Sequence, residues 1–542
     1  MPIFAVDNLD VSFGTRRHRM EVARGVSFGV EAGKTLAIVG ESGSGKSVSL
    51  LGATGLLPPS AAVTGSARHR GTELLGLSAG RLRRLRGAQI GFVFQDPLSN
   101  LHPLKTIGSQ IGEAITAHQR VGRSALRTRI LDLLDEVGIR DPARRIDDYP
   151  HQFSGGMRQR VMIAMAIALG PDLLIADEPT AALDVTVQAA ILTLLRQLQE
   201  RHGMALIFVS HDLGVVNDIA DDVVVMRGGS VVEQGPAVRI YGAPKEPYTR
   251  LLLGAARHGL ALGSAVPVET APLLTVEAVS RRFRRGGKAG GTLQALDRVS
   301  FALREGEILG VVGESGSGKS TIGRIVVGLD RPDEGQVRLG DSVYAHAGAM
   351  TLTRQQRSAI QMVFQDPYGS LNPRRRISAI LAEPFIINTD LSAPQIRARI
   401  RDLVEVVELP QDVLDRYPAQ LSGGQRQRIA IARAVALEPR VIVADEPVSA
   451  LDITTQARII ALLRSLRSRL GVSILFISHD LGVVADLCDR VLVLQAGRII
   501  EEGPTAQVFH RPGQAYTRAL IAAIPGQRNR DEDKFERLVL HG

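Results

Sequence analysis

The sequence contains the same short segments twice, in the same order. Glu-Ser-Gly-Ser-Gly-Lys-Ser occupies 41–47 and 314–320, Val-Phe-Gln-Asp-Pro occupies 93–97 and 363–367, and Ser-His-Asp-Leu-Gly-Val-Val occupies 210–216 and 478–484. A repeat of this length indicates duplication of a whole domain, since solenoid repeats have about 20–50 residues. We predict a first copy over 1–255, a linker over 256–272, a second copy over 273–510, and an extension with a charged tail over 511–542.

The composition excludes several classes of protein. The single cysteine among 542 residues, Cys488, cannot form an internal disulfide, a four-cysteine zinc site or an iron–sulfur cluster. Without an apolar run of about 18 residues or a basic, apolar leader, we expect neither a membrane-spanning helix nor a secretory signal. The net charge is +9, but basic residues are scattered and aromatic residues make up 4%, so we expect no nucleic-acid partner. These features favour a reducing, cytoplasmic setting.

Each copy alternates short apolar runs, rich in β-branched residues, with helical patterns. Leu36–Gly40 and Ile308–Gly313 are predicted as buried strands that lead into glycine-rich loops. Residues 173–176 and 441–444 are predicted as buried strands that end at acidic residues, and 158–169 as a helix. This alternation predicts an α/β fold around a parallel sheet that is buried on both faces.

Both glycine-rich loops fit the phosphate-loop pattern G-x-x-x-x-G-K-[ST]. Glycine lets successive backbone N–H groups approach phosphate oxygens, and the following helix adds its N-terminal dipole. The lysine would reach the β- and γ-phosphates and the serine would bind Mg²⁺. A chance glycine turn explains one match, but two matches in register make it negligible. The predicted nucleotide-binding positions are Gly40, Ser42, Gly43, Gly45, Lys46, Ser47 and Val48 in the first copy, and Gly313, Ser315, Gly316, Gly318, Lys319, Ser320 and Thr321 in the second.

A short apolar strand in each copy ends in the pair Asp-Glu. Asp177 and Asp445 are predicted to organise the magnesium ion beside the phosphate loop. Glu178 and Glu446 could orient or deprotonate the attacking water. The alternative, a surface turn before a proline, loses weight beside a phosphate loop.

A Ser-Gly-Gly turn opens an amphipathic helix in each copy. The two turns are Ser154, Gly155 and Gly156 in the first copy, and Ser422, Gly423 and Gly424 in the second. Hydroxyl, amides and helix dipole make such a turn an anion site, although a capped helix is the alternative for a turn that stands alone. The order of phosphate loop, Gln95, Ser-Gly-Gly, acidic strand, Ala182-Leu183-Asp184 and His211 resembles the nucleotide-binding domain of ABC ATPases. The second copy repeats this order with Gln365, Ala450-Leu451-Asp452 and His479, so the resemblance covers nearly the whole chain.

The resemblance implies tandem P-loop NTPase domains, each with a mainly parallel sheet core, an antiparallel β subdomain and a helical signature subdomain. It also implies that the domains hold two ATP molecules head to tail, each Ser-Gly-Gly contacting the γ-phosphate bound by the other domain. One site then combines Lys46, Ser47, Gln95, Asp177, Glu178 and His211 with Ser422 and Gly424, and the other combines Lys319, Ser320, Gln365, Asp445, Glu446 and His479 with Ser154 and Gly156.

The same resemblance implies a role for each of these side chains. The implied catalytic residues are Glu178, Glu446, His211, His479, Gln95 and Gln365, and the implied magnesium ligands are Ser47, Gln95, Asp177, Ser320, Gln365 and Asp445. Phe13 and Phe283 stand where the family places an aromatic ring on adenine, with a place in the core as the alternative for each.

A finer resemblance concerns two further segments of each copy. Residues 94–103 and 364–373 resemble the Q-loop of the peptide/nickel importer subfamily, and Pro247–Leu252 and Ala515–Leu520 match its C-terminal extension, which covers about 236–255 in the first copy. This implies an ATP-hydrolysing subunit that drives alternating access of two transmembrane permeases for dipeptides or oligopeptides. Such a subunit lies peripherally at the cytoplasmic face of the membrane. An extracytoplasmic substrate-binding protein is then an indirect partner, and the solute never contacts this chain.

Other functions stay open. The same role with nickel, glutathione, an antibiotic peptide or haem as cargo is one, because nothing in the sequence selects the solute. A soluble tandem ABC ATPase that acts on ribosomes fits the charge but not the short apolar linker. An exporter ATPase is a further alternative, and a DNA-repair ATPase lacks support because zinc cysteines and long insertions are absent from the sequence.

Both copies keep the glutamate, the histidine and the serine, so we predict two hydrolytic sites. The positions at which the copies differ are Val48 against Thr321, His102 against Asn372, Phe153 against Leu421, Met157 against Gln425, and Ala181 against Ser449. If the two sites are unequal, the site that uses Ser154 is expected to be the weaker.

Overall fold

A computed structural model of the chain describes residues 2–15, 18–181, 183–258, 271–285, 291–449 and 451–524. The chain divides into two compact units, and the boundary between unit 1 and unit 2 falls after Ala256. The predicted tail, most of the predicted linker, Ala182 and Ala450 lie outside the described residues. No helix in the described part of the chain combines the length and the apolar character needed to cross a membrane.

Unit 1 contains two sheets. The described strands are β1 (Phe4–Thr15), β2 (His18–Val30), β3 (Thr35–Val39), β4 (Ala61–His69), β5 (Thr72–Glu73), β6 (Ile90–Val93), β7 (Leu173–Asp177), β8 (Ala205–Ser210), β9 (Asp222–Arg227) and β10 (Ser230–Pro236). The described helices are α1 (Lys46–Ala53), α2 (Ala79–Leu85), α3 (Pro97–Asn100), α4 (Ile107–Thr116), α5 (Arg123–Glu136), α6 (Pro142–Arg145), α7 (Gly155–Ile167), α8 (Val185–His202), α9 (Leu213–Asn217), α10 (Ala237–Gly242) and α11 (Pro247–His258), with a 3-10 turn over Pro150–Gln152. One sheet has the order β2-β1-β4-β5 and is antiparallel. The other has the order β10-β9-β3-β8-β7-β6, and all its pairs are parallel except β9 with β10.

Unit 2 repeats this arrangement. Its described strands are β11 (Pro272–Arg285), β12 (Gly291–Arg304), β13 (Ile308–Val312), β14 (Glu334–Leu339), β15 (Ser342–His346), β16 (Ala349–Met350), β17 (Ile360–Val363), β18 (Val441–Asp445), β19 (Ser473–Ile477), β20 (Arg490–Gln495) and β21 (Arg498–Pro504). Its described helices are α12 (Lys319–Val326), α13 (Arg354–Ala359), α14 (Pro367–Ser370), α15 (Ile377–Asn388), α16 (Ala393–Val406), α17 (Gly423–Val435), α18 (Ile453–Leu470), α19 (Leu481–Leu487), α20 (Thr505–His510) and α21 (Ala515–Ala522), with 3-10 turns over Gln411–Asp415 and Pro418–Gln420. The antiparallel sheet has the order β12-β11-β14-β15-β16, and the mainly parallel sheet has the order β17-β18-β19-β13-β20-β21.

The mainly parallel sheet is the centre of each unit. Every residue of β3, β7 and β8 is buried, as is every residue of β13, β18 and β19. Alternate side chains of β3 face opposite layers: Leu36 and Ile38 pack with the antiparallel sheet and α1, whereas Ala37 and Val39 pack with helices such as α7 and α8. A strand covered on both faces needs a continuous apolar run, and these sequences have one.

The predicted fold class is confirmed in both units. Each has a mainly parallel core, an antiparallel sheet, and a helical part formed by α4 to α7 in unit 1 and by α15 to α17 in unit 2. The loops that follow β3 and β7 start from neighbouring strands with β8 between them, which brings the glycine-rich loop and the acidic pair to one edge of the sheet.

Candidate nucleotide-binding sites

The phosphate loops need glycine at both of their ends. Gly40 and Gly45 have positive φ angles of 154° and 97°. A Cβ on Gly40 would lie 2.2 Å from the carbonyl oxygen of Met226, and one on Gly45 would lie 2.8 Å from a carbonyl oxygen of β2. In unit 2 the corresponding Cβ-to-carbonyl distances are 2.1 Å at Gly313 and 2.5 Å at Gly318. Any other residue would therefore force the backbone apart.

The middle of each loop is open instead. A Cβ on Gly43 or Gly316 would meet no atom within 4 Å, and Ser42 and Ser315 are exposed. The helix after each loop starts at the lysine, so its first N–H groups have no partner within the helix. An open glycine loop at a helix N-terminus is a site for phosphate oxygens.

The lysine of each loop is held inside it. Lys46 Nζ donates to the carbonyl oxygens of Gly40 at 2.7 Å and Glu41 at 2.9 Å. Lys319 makes the same two bonds in unit 2, at 2.7 and 2.8 Å. Both side chains are only 5% exposed. A buried ammonium group at this position gives the loop the positive charge that a phosphate requires.

A serine–aspartate pair lies beside each lysine. Ser47 Oγ donates to Asp177 Oδ1 at 2.8 Å, and Ser320 Oγ donates to Asp445 Oδ1 at 3.0 Å. Burial raises the pKa of Asp177 and raises the pKa of Asp445 to about 6. In the described part of the chain no cluster of three or more His, Cys, Asp or Glu side chains could hold a metal ion. The pair fits Mg²⁺, which prefers oxygen ligands and takes one or two carboxylates together with substrate phosphates.

The predicted catalytic glutamates have a strained backbone. Glu178 and Glu446 have φ angles of 45° and 47°, in a region that non-glycine residues rarely adopt. Their backbone N–H groups donate to Val209 and Ile477, at 3.0 and 2.9 Å, which joins them to the neighbouring strand. Strain of this kind is typical of functional positions that the surrounding structure holds in place.

Each of these glutamates contacts the predicted glutamine and histidine. Gln95 Nε2 donates to Glu178 Oε2 at 2.9 Å, and His211 Nδ1 lies 3.4 Å from the same oxygen. Burial raises the pKa of Glu178, but the hydrogen bond and charge of His211 outweigh it, so the pKa lies below its usual range. Burial lowers the pKa of His211, but Glu178 outweighs it in turn and raises that pKa. The carboxylate is therefore ionised and can accept a proton from water.

Unit 2 has the same three side chains in the same arrangement. Gln365 Nε2 donates to Glu446 Oε2 at 2.7 Å, and His479 Nδ1 lies 3.2 Å from Glu446 Oε1. The pKa values shift in the same directions for the same reasons: burial raises that of Glu446 and His479 lowers it, with a net lowering. For His479, burial lowers the pKa and Glu446 raises it, with a net increase. Two independent copies thus bring together the residues that the motifs predict.

The Ser-Gly-Gly turns are exposed at the serine and closely packed at the second glycine. Ser154 caps α7 and Ser422 caps α17, each accepting a backbone N–H at 3.3 Å. A Cβ on Gly156 would lie 2.4 Å from Val187 Cγ1 in the first turn of α8, and a Cβ on Gly424 would lie 2.4 Å from a methyl group of α18. The first glycines, Gly155 and Gly423, have more space, with the nearest leucine carbon at 3.5 Å.

Phe13 and Phe283 lie on the hairpins that touch the phosphate loops. Each pairs with the residue two positions before the carbonyl group that approaches the last loop glycine. The pairs and carbonyls are Phe13 with Met20 beside Val22, and Phe283 with Leu293 beside Ala295. Phe283 is 38% exposed, and the Arg281 guanidinium lies 4.8 Å from its ring centroid, whereas Phe13 is half-buried against the core. Their contact with adenine stays a prediction.

Two tyrosines that the motifs do not single out also reach the phosphate loops. Tyr248 Oη accepts the backbone N–H of Glu41 at 3.2 Å, and Tyr516 Oη accepts that of Glu314 at 3.1 Å. The signal in the sequence is a Tyr-Thr-Arg segment repeated in register, at 248–250 and 516–518, outside the ATPase motifs.

Comparison with known protein families agrees with this geometry. The family described as ABC transporter matches residues 23–181 and 296–449. The chain belongs to the ABC transporter family. The family described as oligopeptide/dipeptide transporter, C-terminal region, matches residues 232–258 and 500–539. The predicted resemblance to the peptide importer subfamily is thereby confirmed.

Relatives of this ABC protein match it over almost its full length. The uncharacterized ABC transporter ATP-binding protein YejF of Escherichia coli is 45% identical over 96% of this chain and 99% of its own. The oligopeptide transport ATP-binding protein OppD of Mycobacterium bovis is 41% identical over 97% of this chain and 98% of its own. The glutathione import ATP-binding protein GsiA of Pectobacterium atrosepticum is 42% identical over 96% of this chain and 89% of its own. A solved dimeric ATP-binding cassette with ADP and Pi is 32% identical over 43% of this chain and 98% of its own, with a TM-score of 0.39.

Membership of the family establishes the chemistry of the chain. It is an ATPase with tandem ABC domains, its nucleotide is ATP and its metal is Mg²⁺, as predicted. The serine–aspartate pairs and the open phosphate loops described above fit this substrate and this metal.

Proposed function

We propose that this chain is the ATP-hydrolysing subunit of an importer for dipeptides or oligopeptides, which drives alternating access of two permease subunits. The observation that carries the proposal is the match of both units to the C-terminal region of oligopeptide/dipeptide transporters. The names of OppD and GsiA, an oligopeptide transport and a glutathione import protein, support import as the direction.

The proposed task of each residue follows from its position. The phosphate-loop amides and Lys46 bind the phosphates, with Lys46 exchanging its carbonyl partners for phosphate oxygens. Ser47, Asp177 and Gln95 hold Mg²⁺, which when bound neutralises charge that develops on the phosphates. Glu178 accepts the proton of the attacking water, while Gln95 and His211 hold its carboxylate in place. Lys319, Ser320, Asp445, Gln365, Glu446 and His479 have the same tasks in unit 2.

We propose further that each ATP lies between a phosphate loop of one domain and the Ser-Gly-Gly turn of the other. Ser422 and Gly424 then serve the site of unit 1, and Ser154 and Gly156 serve the site of unit 2. The exposure of both serines at the N-termini of long helices supports an anion-binding task. The proposed domains are 1–255 and 273–510, with the extension of the second over 511–542, and the unit boundary after Ala256 is compatible with them.

The proposed partners are two permeases in the membrane and, indirectly, an extracytoplasmic substrate-binding protein. The chain would lie at the cytoplasmic face through its contact with the permeases, and the solute would not touch it. Glutathione is the second candidate cargo, because GsiA is 42% identical to this chain. Nickel, an antibiotic peptide and haem have no comparable support.

Affinity purification of the full chain from its own membranes, with mass spectrometry, tests this proposal. Two multi-span permeases together with an extracytoplasmic binding protein are the expected partners. The complex is then reconstituted in vesicles, and its ATPase activity is measured with dipeptides, oligopeptides, glutathione or Ni²⁺. Stimulation by peptides alone supports the cargo, and stimulation by glutathione alone replaces it. Recovery of ribosomal proteins without permeases would overturn the importer.

A further inference from the structure

Each phosphate loop is joined to the C-terminal helix of its own unit. Tyr248, on α11, accepts the N–H of Glu41 from a position 207 residues away in the sequence, and Tyr516, on α21, accepts the N–H of Glu314 from 202 residues away. Glu41 and Glu314 directly follow the first glycine of the loop. The contact therefore reaches the segment in which the loop leaves the central sheet.

A buried glutamate anchors the start of each of these helices. Glu233, on β10 and only 7% exposed, accepts the N–H groups of Lys245 at 2.9 Å and Glu246 at 3.1 Å. Glu501, on β21, accepts the corresponding N–H groups at 2.6 and 3.2 Å. Charge-assisted bonds of this kind are about twice as strong as neutral ones. The tyrosine is thus presented by a helix whose start is itself held against the central sheet.

The surroundings of the two tyrosines differ, but the hydroxyl contact is the same. The Arg227 guanidinium lies 4.8 Å from the ring centroid of Tyr248, whereas the position that corresponds to Arg227 in unit 2 is Gln495. The residues whose N–H groups bind the anchoring glutamates differ as well, since Gly513 replaces Lys245. What the two units share is the glutamate, the tyrosine and the bond to the loop.

The tyrosine and the lysine hold the same loop residue from two sides. Lys46 donates to the carbonyl oxygen of Glu41, while Tyr248 accepts from its N–H. When a phosphate binds, the lysine must turn from the carbonyl groups to the phosphate oxygens. The tyrosine contact does not require this exchange and can hold the loop throughout. A glycine-rich loop loses much conformational entropy on ordering, so such a contact lowers the entropic cost of nucleotide binding.

We propose that Tyr248 and Tyr516 are positioning residues that hold the phosphate loops ready for nucleotide, and so make the C-terminal helix of each unit part of its ATP site. The inference rests on the ATP sites of the proposed function, but it concerns only the loop within each unit. It assigns a task in ATP binding to the region that distinguishes the peptide importer subfamily from other ABC ATPases.

Calorimetric titration of the full chain with ADP and Mg²⁺ tests the inference, because ADP is not hydrolysed. Tyr248→Phe and Tyr516→Phe keep the ring and remove the hydroxyl. One neutral hydrogen bond predicts a Kd for ADP that is roughly 2- to 10-fold higher at the altered site. The KM for ATP should rise by a similar factor, while kcat changes less. Hydrogen exchange should become faster in peptides that cover 39–46 or 312–319, according to the tyrosine changed.

Tyr344→Phe is the matched control. Its hydroxyl is also buried and donates to the carbonyl oxygen of Val326 at 2.6 Å, at the far end of α12 from the phosphate loop. This change should lower thermal stability and leave the Kd for ADP unchanged. A lower melting temperature without a change in Kd or loop exchange in the Tyr248 and Tyr516 variants would overturn the inference. Failure of the unsubstituted chain to bind ADP would overturn the proposed function itself, and the inference with it.

Discussion

The two units agree where side chains would meet the nucleotide and differ where they support the helices around it. The serine–aspartate distances are 2.8 and 3.0 Å, the glutamine–glutamate distances 2.9 and 2.7 Å, and the histidine–glutamate distances 3.4 and 3.2 Å. At the signature turn, by contrast, Gln425 Oε1 accepts the N–H of Ser422 at 3.0 Å and closes a capping box, whereas unit 1 has Met157, which packs against the apolar core. Reacting groups tolerate little variation in geometry, while a helix end can be stabilised in several ways.

A second difference follows the acidic strands. Ser449 Oγ in unit 2 donates to the carbonyl oxygen of Glu446 at 3.1 Å, and the corresponding residue of unit 1, Ala181, has no hydroxyl group. Both differences leave unit 1 with fewer polar contacts around its signature turn and catalytic glutamate. They keep open the prediction that the site using Ser154 is the weaker of two active sites.

Removal of the proposed base is the strongest test of this comparison. The double variant Glu178→Gln, Glu446→Gln should lose about 10²–10⁴-fold in kcat of the assembled complex, because a carboxamide cannot accept the proton. Each single substitution should lower the activity by the same factor if the two sites are equal. Steady-state ATPase assays measure both effects, and ADP binding shows that the variants keep their sites.

The single variants also decide between equal and unequal sites. A larger loss with Glu178→Gln would show that the site completed by Ser422 carries most of the turnover. Full activity in either single variant would contradict the prediction of two hydrolytic sites. Glu305→Gln is a suitable control, since its side chain is exposed and its ion pair with Arg440 lies on the surface.

A buried histidine distinguishes the antiparallel sheets. His69 pairs with Phe4 at the end of β4, and the corresponding residue at the end of β14 is Leu339. His69 is 1% exposed, neither ring nitrogen has a hydrogen-bond partner among the described residues, and Asp172 lies 3.7 Å away. Burial lowers the pKa of His69, and the charge of Asp172 opposes this only in part.

His69→Leu should therefore stabilise unit 1, by about 1–3 kcal/mol for the removal of an unsatisfied buried polar group. The gain should be larger at acidic pH. Below the ordinary histidine pKa of about 6.5, the unfolded chain takes up a proton that the folded chain resists, so stability falls as the pH falls. Thermal unfolding of both proteins at about pH 7.5 and pH 5.5 measures this, and an equal loss of melting temperature on acidification would contradict it.

The smallest expected effect concerns the capping box. Gln425→Met removes the bond to Ser422 N–H and should destabilise unit 2 by about 0.5–1 kcal/mol, since one exposed hydrogen bond is lost. Met157→Gln is the reciprocal change and tests whether unit 1 gains what unit 2 loses. Thermal unfolding and ATPase activity are measured together. Equal stability of Gln425→Met and the unsubstituted chain would show that the capping box contributes nothing.

Much of the site could be predicted because its motifs are local. The glycines of the phosphate loop, the lysine and the serine lie within eight consecutive residues, 40–47, and the positive φ angles and close backbone approaches explain why glycine stands there. The acidic pair was equally accessible, because an apolar strand that ends in two carboxylates is a local pattern. The strained backbone of Glu178 gives no such signal, since it depends on how the next strand binds its N–H.

Contacts across the unit escaped the motifs for a physical reason. Tyr248 and Glu233 are ordinary residues in a helix and a strand, and their tasks depend on the docking of α11 against the central sheet. Phe13 and Phe283 show the same limit, because their strand pairing places them near the loops while their exposure differs.

By itself the sequence determined that the chain is a duplicated P-loop ATPase, because strand–loop–helix motifs and their repetition are read from neighbouring residues. It also determined which side chains carry phosphate, magnesium and proton chemistry. Only the tertiary structure decided that each phosphate loop is held by a tyrosine about two hundred residues away, and that a methionine and a glutamine support the same turn differently. Such contacts depend on sheet order and helix packing, which bring distant segments together after the local elements have formed.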